Sequence, residues 1–230
     1  MPTTAAPPNT APPETAVVPA AMLVADGLGC WRGGRRLFAG LQLRLEAGQS
    51  LWLRGPNGCG KTSLLRLLSG LVRADEGGIH FDREPVHRLP ERQRARLRLL
   101  AHANALKDTL TVDEALGFLC RLAGDDIAPP RLAAALRRFG MADAGRRTVR
   151  TLSQGQRRRV ALARLLLAPP GTTWLLDEPY DALDHQGVAT LDAVLAEQLA
   201  GGASVVLTSH LPVNVPGLRS FDLDRLGMPA

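Results

Sequence analysis

The sequence predicts one α/β domain built on a mainly parallel sheet with helices on its faces. Short apolar runs alternate with helical patterns from Met22 onward, the order of strand–helix–strand units. A chain of 230 residues with 45% hydrophobic and 22% charged residues can bury one substantial core. No internal repeat divides it, so the expectation is one unit and not two.

Residues 1–20 are dominated by Pro, Ala and Thr, offer little apolar surface to offset ordering entropy, and read as a disordered tail. The single domain is expected over residues 21–225. Strands are predicted at Ser50 to Arg54, Gly78 to Phe81, Arg98 to His102, Thr173 to Asp177 and Ser204 to Thr208, with a short last strand near Ser220 to Leu223 before the chain frays. Helices are predicted to start at Gly60, Val112, Pro130, Ser153 and Gln186. The stretch from about Ala103 to Arg150 reads as almost purely helical, broken at Pro129-Pro130, and suggests a helical subdomain set between strands.

The net charge is +6, carried almost wholly by arginine, since only Lys61 and Lys107 are lysines. That balance suits a nucleotide, a nucleic acid or an anionic surface and decides little. The arginines from Arg83 to Arg98, including Arg88, Arg92, Arg94 and Arg96, are expected to form a solvated face on the subdomain. No aromatic residues are interleaved among them for base stacking, so no nucleic-acid partner is expected. Cys30, Cys59 and Cys120 lack metal-ligand spacing and their odd number argues against a disulfide framework, which suits a reducing compartment. No window approaches the roughly 18 consecutive apolar residues of a membrane-spanning helix, and no signal peptide is expected. Work at a membrane would need a partner.

Gly55-Pro56-Asn57-Gly58-Cys59-Gly60-Lys61-Thr62, followed by Ser63, fits G-x-x-x-x-G-K-[ST] between the apolar run Leu51–Leu53 and a helical run. Glycines let successive backbone N–H groups turn towards phosphate oxygens, and the helix beginning there adds its positive dipole end. Lys61 would reach the β- and γ-phosphates of ATP, and the Thr62 hydroxyl would hold Mg²⁺. The strand Thr173–Leu176 ends in Asp177 and Glu178, 116 and 117 residues after Lys61. Neighbouring strand residues face opposite ways, so the two acids are expected to do different jobs: Asp177 beside the metal, Glu178 taking a proton from the attacking water. Leu152-Ser153-Gln154-Gly155-Gln156 opens a helix; Ser153 is a good N-cap, and the N–H groups of Gln154 and Gly155 can meet an anion. The plain alternative is a capped helix followed by the solvated charges Arg157, Arg158 and Arg159.

The phosphate loop, this helix start, the Asp-Glu strand and a histidine after the next strand, in that order, resemble the ABC ATPases over about Met22 to Thr208 and a little beyond. The resemblance implies a P-loop NTPase of the ABC cassette type, with a mainly parallel core sheet, an N-terminal antiparallel β part and a helical subdomain at about residues 103–152. It further implies that Ser153, Gln154, Gly155 and Gln156 bind nucleotide held by a second copy of the chain in a head-to-tail ATP sandwich. Ala182-Leu183-Asp184 would couple the copies, and His210 would contact the γ-phosphate.

Two departures from the family pattern stand out. Before Leu110-Thr111, where the family carries a glutamine that senses Mg²⁺ and the transporter partner, this chain has His102, so either His102 substitutes for the glutamine or the loop is shifted; and Trp31 is the nearby candidate for stacking on adenine. Leu37-Phe38-Ala39-Gly40-Leu41 and His102-Ala103-Asn104-Ala105-Leu106-Lys107 are similar to the haem-exporter ATPases of bacterial cytochrome c maturation. That likeness implies a peripheral subunit on the cytoplasmic side of the inner membrane, paired with membrane-spanning transporter subunits that handle the haem. An ATPase serving another cargo, or a soluble ABC protein acting on ribosomes or DNA, remain the alternatives at this point.

Overall fold

Residues 22–226 are described by a computed structural model of the chain; the expected tail, residues 1–20, and the expected fraying end lie outside the described residues. The first two strands, β1 (Leu23–Arg32) and β2 (Arg35–Leu45), form a hairpin with antiparallel pairing from Leu23 opposite Leu45 to Arg32 opposite Arg35. Its two-residue tip is Gly33-Gly34, both at positive φ (57° and 76°), the backbone that a tight hairpin with right-handed twist demands. Leu41, Leu43 and Leu45 alternate inward with solvent-facing residues between them.

After β3 (Ser50–Arg54), α1 (Lys61–Leu68) follows, and then β4 (Glu76–Phe81) pairs antiparallel with β1, while the short β5 (Glu84–Pro85) pairs with β4. The first sheet therefore runs β2-β1-β4-β5. The strand expected at Gly78 to Phe81 exists, but it belongs to this antiparallel layer. Asp82 and Arg83, at φ 51° and 72°, turn the chain straight back, whereas a parallel neighbour needs a long crossover.

The second sheet takes β3, then β6 (Leu97–Leu100), β7 (Thr173–Leu176), β8 (Ser204–Thr208) and β9 (Leu218–Asp222), all parallel, in the order β6-β7-β8-β3-β9. Every residue of β7 and β8 is buried, as expected of strands covered on both faces. Their alternation sorts two cores. Leu175 and Val206 join Leu51 and Leu53 on the face that meets α1 and the antiparallel sheet. Trp174, Leu176, Val205 and Leu207 turn to the other face.

That other face is covered by α3 (Val112–Leu122), α4 (Pro129–Arg138), α5 (Gln154–Ala163) and α6 (His185–Ala200); the four-residue α2 (Glu91–Arg94) precedes β6. Each long helix has a local start signal. Thr111 and Glu114 form a reciprocal capping box on α3, proline opens α4, Ser153 and Gln156 cap α5, and Asp184 caps α6. The stretch 103–150 is less helical than its sequence suggests. Residues 101–110 form an irregular loop, and two short 3₁₀ turns, Ala142–Ala144 and Val149–Thr151, complete it.

Two further expectations change. The strand expected through His102 stops at Leu100, because the carbonyls of Ala101 and His102 turn to the guanidinium of Arg158. The arginine run is not one solvated face. Arg98 is 8% exposed and pairs with Asp125 at 2.8 Å, tying β6 to the loop before α4, while Arg96 meets Asp82 at 2.9 Å. Arg83, Arg88, Arg92 and Arg94 remain exposed.

α1 is wedged between the two sheets, with Leu64, Leu65, Leu67 and Leu68 all buried. Leu64→Ala should therefore cost about 2–5 kcal/mol of unfolding free energy, and Leu71→Ala, just past the end of α1 and 69% exposed, within about 0.5 kcal/mol. Urea titrations of the two variants check this; equal losses would mean that α1 does not bear the packing.

Candidate functional site

β3 ends at Arg54, and the loop that follows is wrapped so tightly that three positions require glycine. Gly55, Gly58 and Gly60 stand at φ 141°, 81° and 108°, and a methyl group on Gly55 would lie 2.7 Å from the Cys59 sulfur. The Cys59 N–H closes the turn on the Pro56 carbonyl at 3.3 Å. Gly60 is the N-cap of α1 without any side-chain cap, so the first-turn N–H groups point out of the helix with no side chain to meet them. They open into a cavity of about 400 Å³ whose rim includes Asn57, Gly58, Gly60, Lys61, Thr62 and Ser63. Lys61 lies across the loop, its ammonium donating to the carbonyls of Gly55 (2.7 Å) and Pro56 (3.1 Å).

From the opposite wall come Asp177, Glu178, His210 and His102. The Thr62 hydroxyl donates to both carboxylate oxygens of Asp177, at 2.9 and 3.2 Å. Thr208, fully buried at the end of β8, donates to Asp177 (3.0 Å) and accepts the backbone N–H of Glu178 (2.8 Å). The Glu178 carboxylate accepts the His210 N–H at 3.0 Å, with the His210 Nε2 3.4 Å from its other oxygen. His102 is largely exposed on the rim, its Nδ1 3.4 Å from Asp181.

The two acids do diverge, but not by strand alternation. β7 stops at Leu176, and Glu178 takes a left-handed backbone at φ 47°, which costs a non-glycine residue about 1 kcal/mol or more. That twist sends one carboxylate towards Thr62 and the other towards His210.

Ser153, Gln154, Gly155 and Gln156 lie outside this cavity. Ser153 and Gln156 cap each other through backbone N–H groups at 3.2 and 3.1 Å. Gly155 is seated where a methyl group would be 2.7 Å from the Ala182 carbonyl, so the start of α5 is packed on the Ala182–Asp184 loop. Arg159 reinforces the contact through the Asp184 carboxylate. Trp31 is half-exposed, carries Arg36 over its ring at 5.8 Å and does not line the cavity; from its hairpin Arg32 and Leu37 do.

Sequence reasoning missed Thr208 and Arg158. Thr208 ends a predicted strand two residues before His210, a position that could have flagged it. Arg158 is 2% exposed and not a solvated charge. The signal was helical spacing, since Arg158, Leu162 and Leu165 recur four and three apart on one face.

Beside this geometry stand the likenesses to known proteins. The family model described as "ABC transporter" matches residues 38–181. The cytochrome c biogenesis ATP-binding export protein CcmA of Aromatoleum aromaticum is 46% identical over 85% of this chain and 92% of its own length. The protein of that name from Paramagnetospirillum magneticum is 44% identical over 89% and 94%. Among solved structures, a putative ABC transporter (ATP-binding protein) from Pyrococcus furiosus superposes with a TM-score of 0.78 at 22% identity, covering 90% of this chain and all of that one. A bacterial Atm1-family ABC exporter with ATP bound gives 0.72 at 22% identity, covering 84% of this chain and 35% of that one. At such identities the two structures speak for the fold alone.

Thr208→Val keeps the strand and removes the hydroxyl, leaving the Glu178 N–H without its partner and one Asp177 oxygen with only the longer Thr62 contact at 3.2 Å; a loss of about 1–3 kcal/mol is expected in denaturant titration. A neutral result would mean that Thr208 does not hold the acids. Asp184 offers a pH test. The Gly187 N–H and then Arg159 hold its carboxyl below the usual aspartate range. Its contribution is therefore full above the unfolded value of about 3.9 and fades as pH falls through the lower folded value. The stability gap between wild type and Asp184→Ala should shrink across that window, and a gap unchanged at the acid end would contradict it.

Proposed function

Because this chain belongs to the ABC transporter family of ATP-binding subunits, we propose that it powers a transporter for cytochrome c biogenesis, delivering haem or releasing a haem-loaded chaperone beyond the membrane. The family assignment makes it an ATP-binding, ATP-hydrolysing subunit. No helix among the described residues is long and apolar enough to cross a membrane. In this reading the chain sits on the cytoplasmic face of the bacterial inner membrane, held by membrane-spanning subunits that handle the haem. The relatives at 43–46% identity, named for cytochrome c biogenesis and export, support that cargo.

The observation that carries the chemistry is the Thr62–Asp177 contact at 2.9 Å, beside the glycine loop and one residue from Glu178. Hydroxyl and carboxylate oxygens set side by side are the hard donors that Mg²⁺ takes, so Thr62 and Asp177 fit it. When bound, Mg²⁺ would neutralise charge on the β- and γ-phosphates. The N–H groups from Gly58 to Ser63 and the dipole of α1 receive the phosphates of ATP, and Lys61 shifts from the Gly55 and Pro56 carbonyls to phosphate oxygens. Glu178 takes the proton of a water whose oxygen attacks the γ-phosphorus; the bond to the β–γ bridging oxygen breaks, and ADP leaves with that oxygen. His210 orients the Glu178 carboxylate and reaches the γ-phosphate, and His102 closes the rim.

Ser153, Gln154, Gly155 and Gln156 serve the cavity of a second copy, because they lie away from their own. Closing the pair over ATP excludes water, and hydrolysis lets it reopen. Trp31 would meet adenine only from the hairpin outside the cavity.

Glu178→Gln should bind ATP within about threefold of wild type and lose about 10²–10⁴-fold in turnover. Unchanged turnover would remove Glu178 from the role of base. Lys61→Ala should weaken ATP binding itself by at least about tenfold, whereas His102→Gln should keep turnover within about threefold if the histidine does a glutamine's work. Fully assembled c-type cytochromes in a strain lacking the gene would overturn the cargo and leave the ATPase standing.

A further inference from the structure

Arg158 is buried on α5, outside the cavity, and all its N–H bearing nitrogens are engaged by acceptors from two loops. From the loop after β6 come the Asn104 side-chain oxygen (2.9 Å) and the carbonyls of Ala101 (3.2 Å) and His102 (3.4 Å), all on Nη1. From the loop after β7 come the carbonyls of Glu178 (2.6 Å) and Asp177 (2.9 Å) on Nη2 and of Pro179 (3.2 Å) on Nε.

A buried cation is ordinarily neutralised by a carboxylate. Here carbonyl dipoles and one amide oxygen solvate it, with the nearest carboxylates acting only through space. The planar guanidinium fork suits this task, since its donors leave in fixed directions and grip two chain segments at once; a lysine ammonium presents one point.

What it grips is under backbone strain. Glu178 and Ala105, the residue after Asn104, both stand in the left-handed region, at φ 47° and 54°. Such residues persist only where their surroundings over-determine them. Both loops carry cavity-facing groups, His102 on one and Glu178 on the other. The helix that supplies the clamp begins at the Ser153–Gln156 segment.

We propose that Arg158 is a positioning residue for ATP turnover: its guanidinium locks the His102 loop to the Glu178 loop and ties both to the helix whose first turn faces the second copy. The chain's own base is thereby placed by the element that touches its neighbour's nucleotide. This rests on the reading of Glu178 as the base.

The test uses the full chain assembled with the membrane subunits that co-purify with it. Turnover, ATP affinity and thermal midpoint are measured for wild type, Arg158→Lys, His102→Ala, Asn104→Ala and the combination of Arg158→Lys with His102→Ala, with Glu178→Gln as reference. Arg158→Lys should lower kcat at least about 30-fold and Asn104→Ala about 5-fold, each with KM for ATP within about threefold. The midpoint of Asn104→Ala, whose side chain is only half-buried, should stay near wild type. Adding His102→Ala to Arg158→Lys should cost little more, because the loop is already released.

An unchanged kcat in Asn104→Ala overturns the clamp, even if Arg158→Lys fails to fold. Additive losses, or kcat falling only in step with affinity and midpoint, make Arg158 a packing residue and nothing more. If instead Glu178→Gln turns over like wild type, the reading of the base fails and not the clamp.

Discussion

Leu53, Thr208 and Asp177 come to one level through the register of three neighbouring parallel strands: Leu53 pairs with Thr208 across β3 and β8, and Leu176, the residue before Asp177, with Leu207, the residue before Thr208, across β7 and β8. From that level the glycine loop leaves β3, the Thr208 hydroxyl stands between, and the two acids leave β7. A slip of one residue in any of these strands would exchange its faces, sending Trp174 and Leu176 into the core meant for Leu175. The two apolar cores thus do more than hold the sheet. They hold the register that lets the Thr62 hydroxyl find Asp177.

The parts legible in the sequence are those whose chemistry is local. The glycine loop, the helix start at Val112, the Ser153 N-cap and the acids after Thr173–Leu176 are each set by residues within a few positions of one another, and each appears where it was expected. The antiparallel hairpin β1–β2 was expected only through the family resemblance and not from its residues, because the pairing shifts register between Ala25 and Leu28 and again before Cys30 and Trp31, which breaks the two-residue period. β4 was legible as a strand but not as a member of the antiparallel layer, since sheet membership is settled by partners far along the chain. Arg158 was misread for the same reason: its acceptors lie 19 to 57 residues away.

Strain and compensation meet at one end of the parallel sheet. Ala105, Glu178 and Ala182 all take left-handed backbone without being glycine, and all lie in loops packed around the start of α5. The carbonyl of Ala182 rests against Gly155, and Arg159 holds the Asp184 carboxylate. Two loops that are distant in sequence are therefore referred to one short helix. Through Arg158 its six-oxygen contact with the loops after β6 and β7 makes it a common reference against which their side chains are set.

Arginine carries nearly all of the positive charge, and the ammonium of Lys61 lies against loop carbonyls at the cavity rim. With Lys107 as its one companion among lysine side chains, this group gives the chain an almost private handle for amine chemistry. Reagents that acylate lysine ignore guanidinium groups, so labelling resolved between these two sites reads out how occupied the phosphate loop is, with Lys107 as the internal standard.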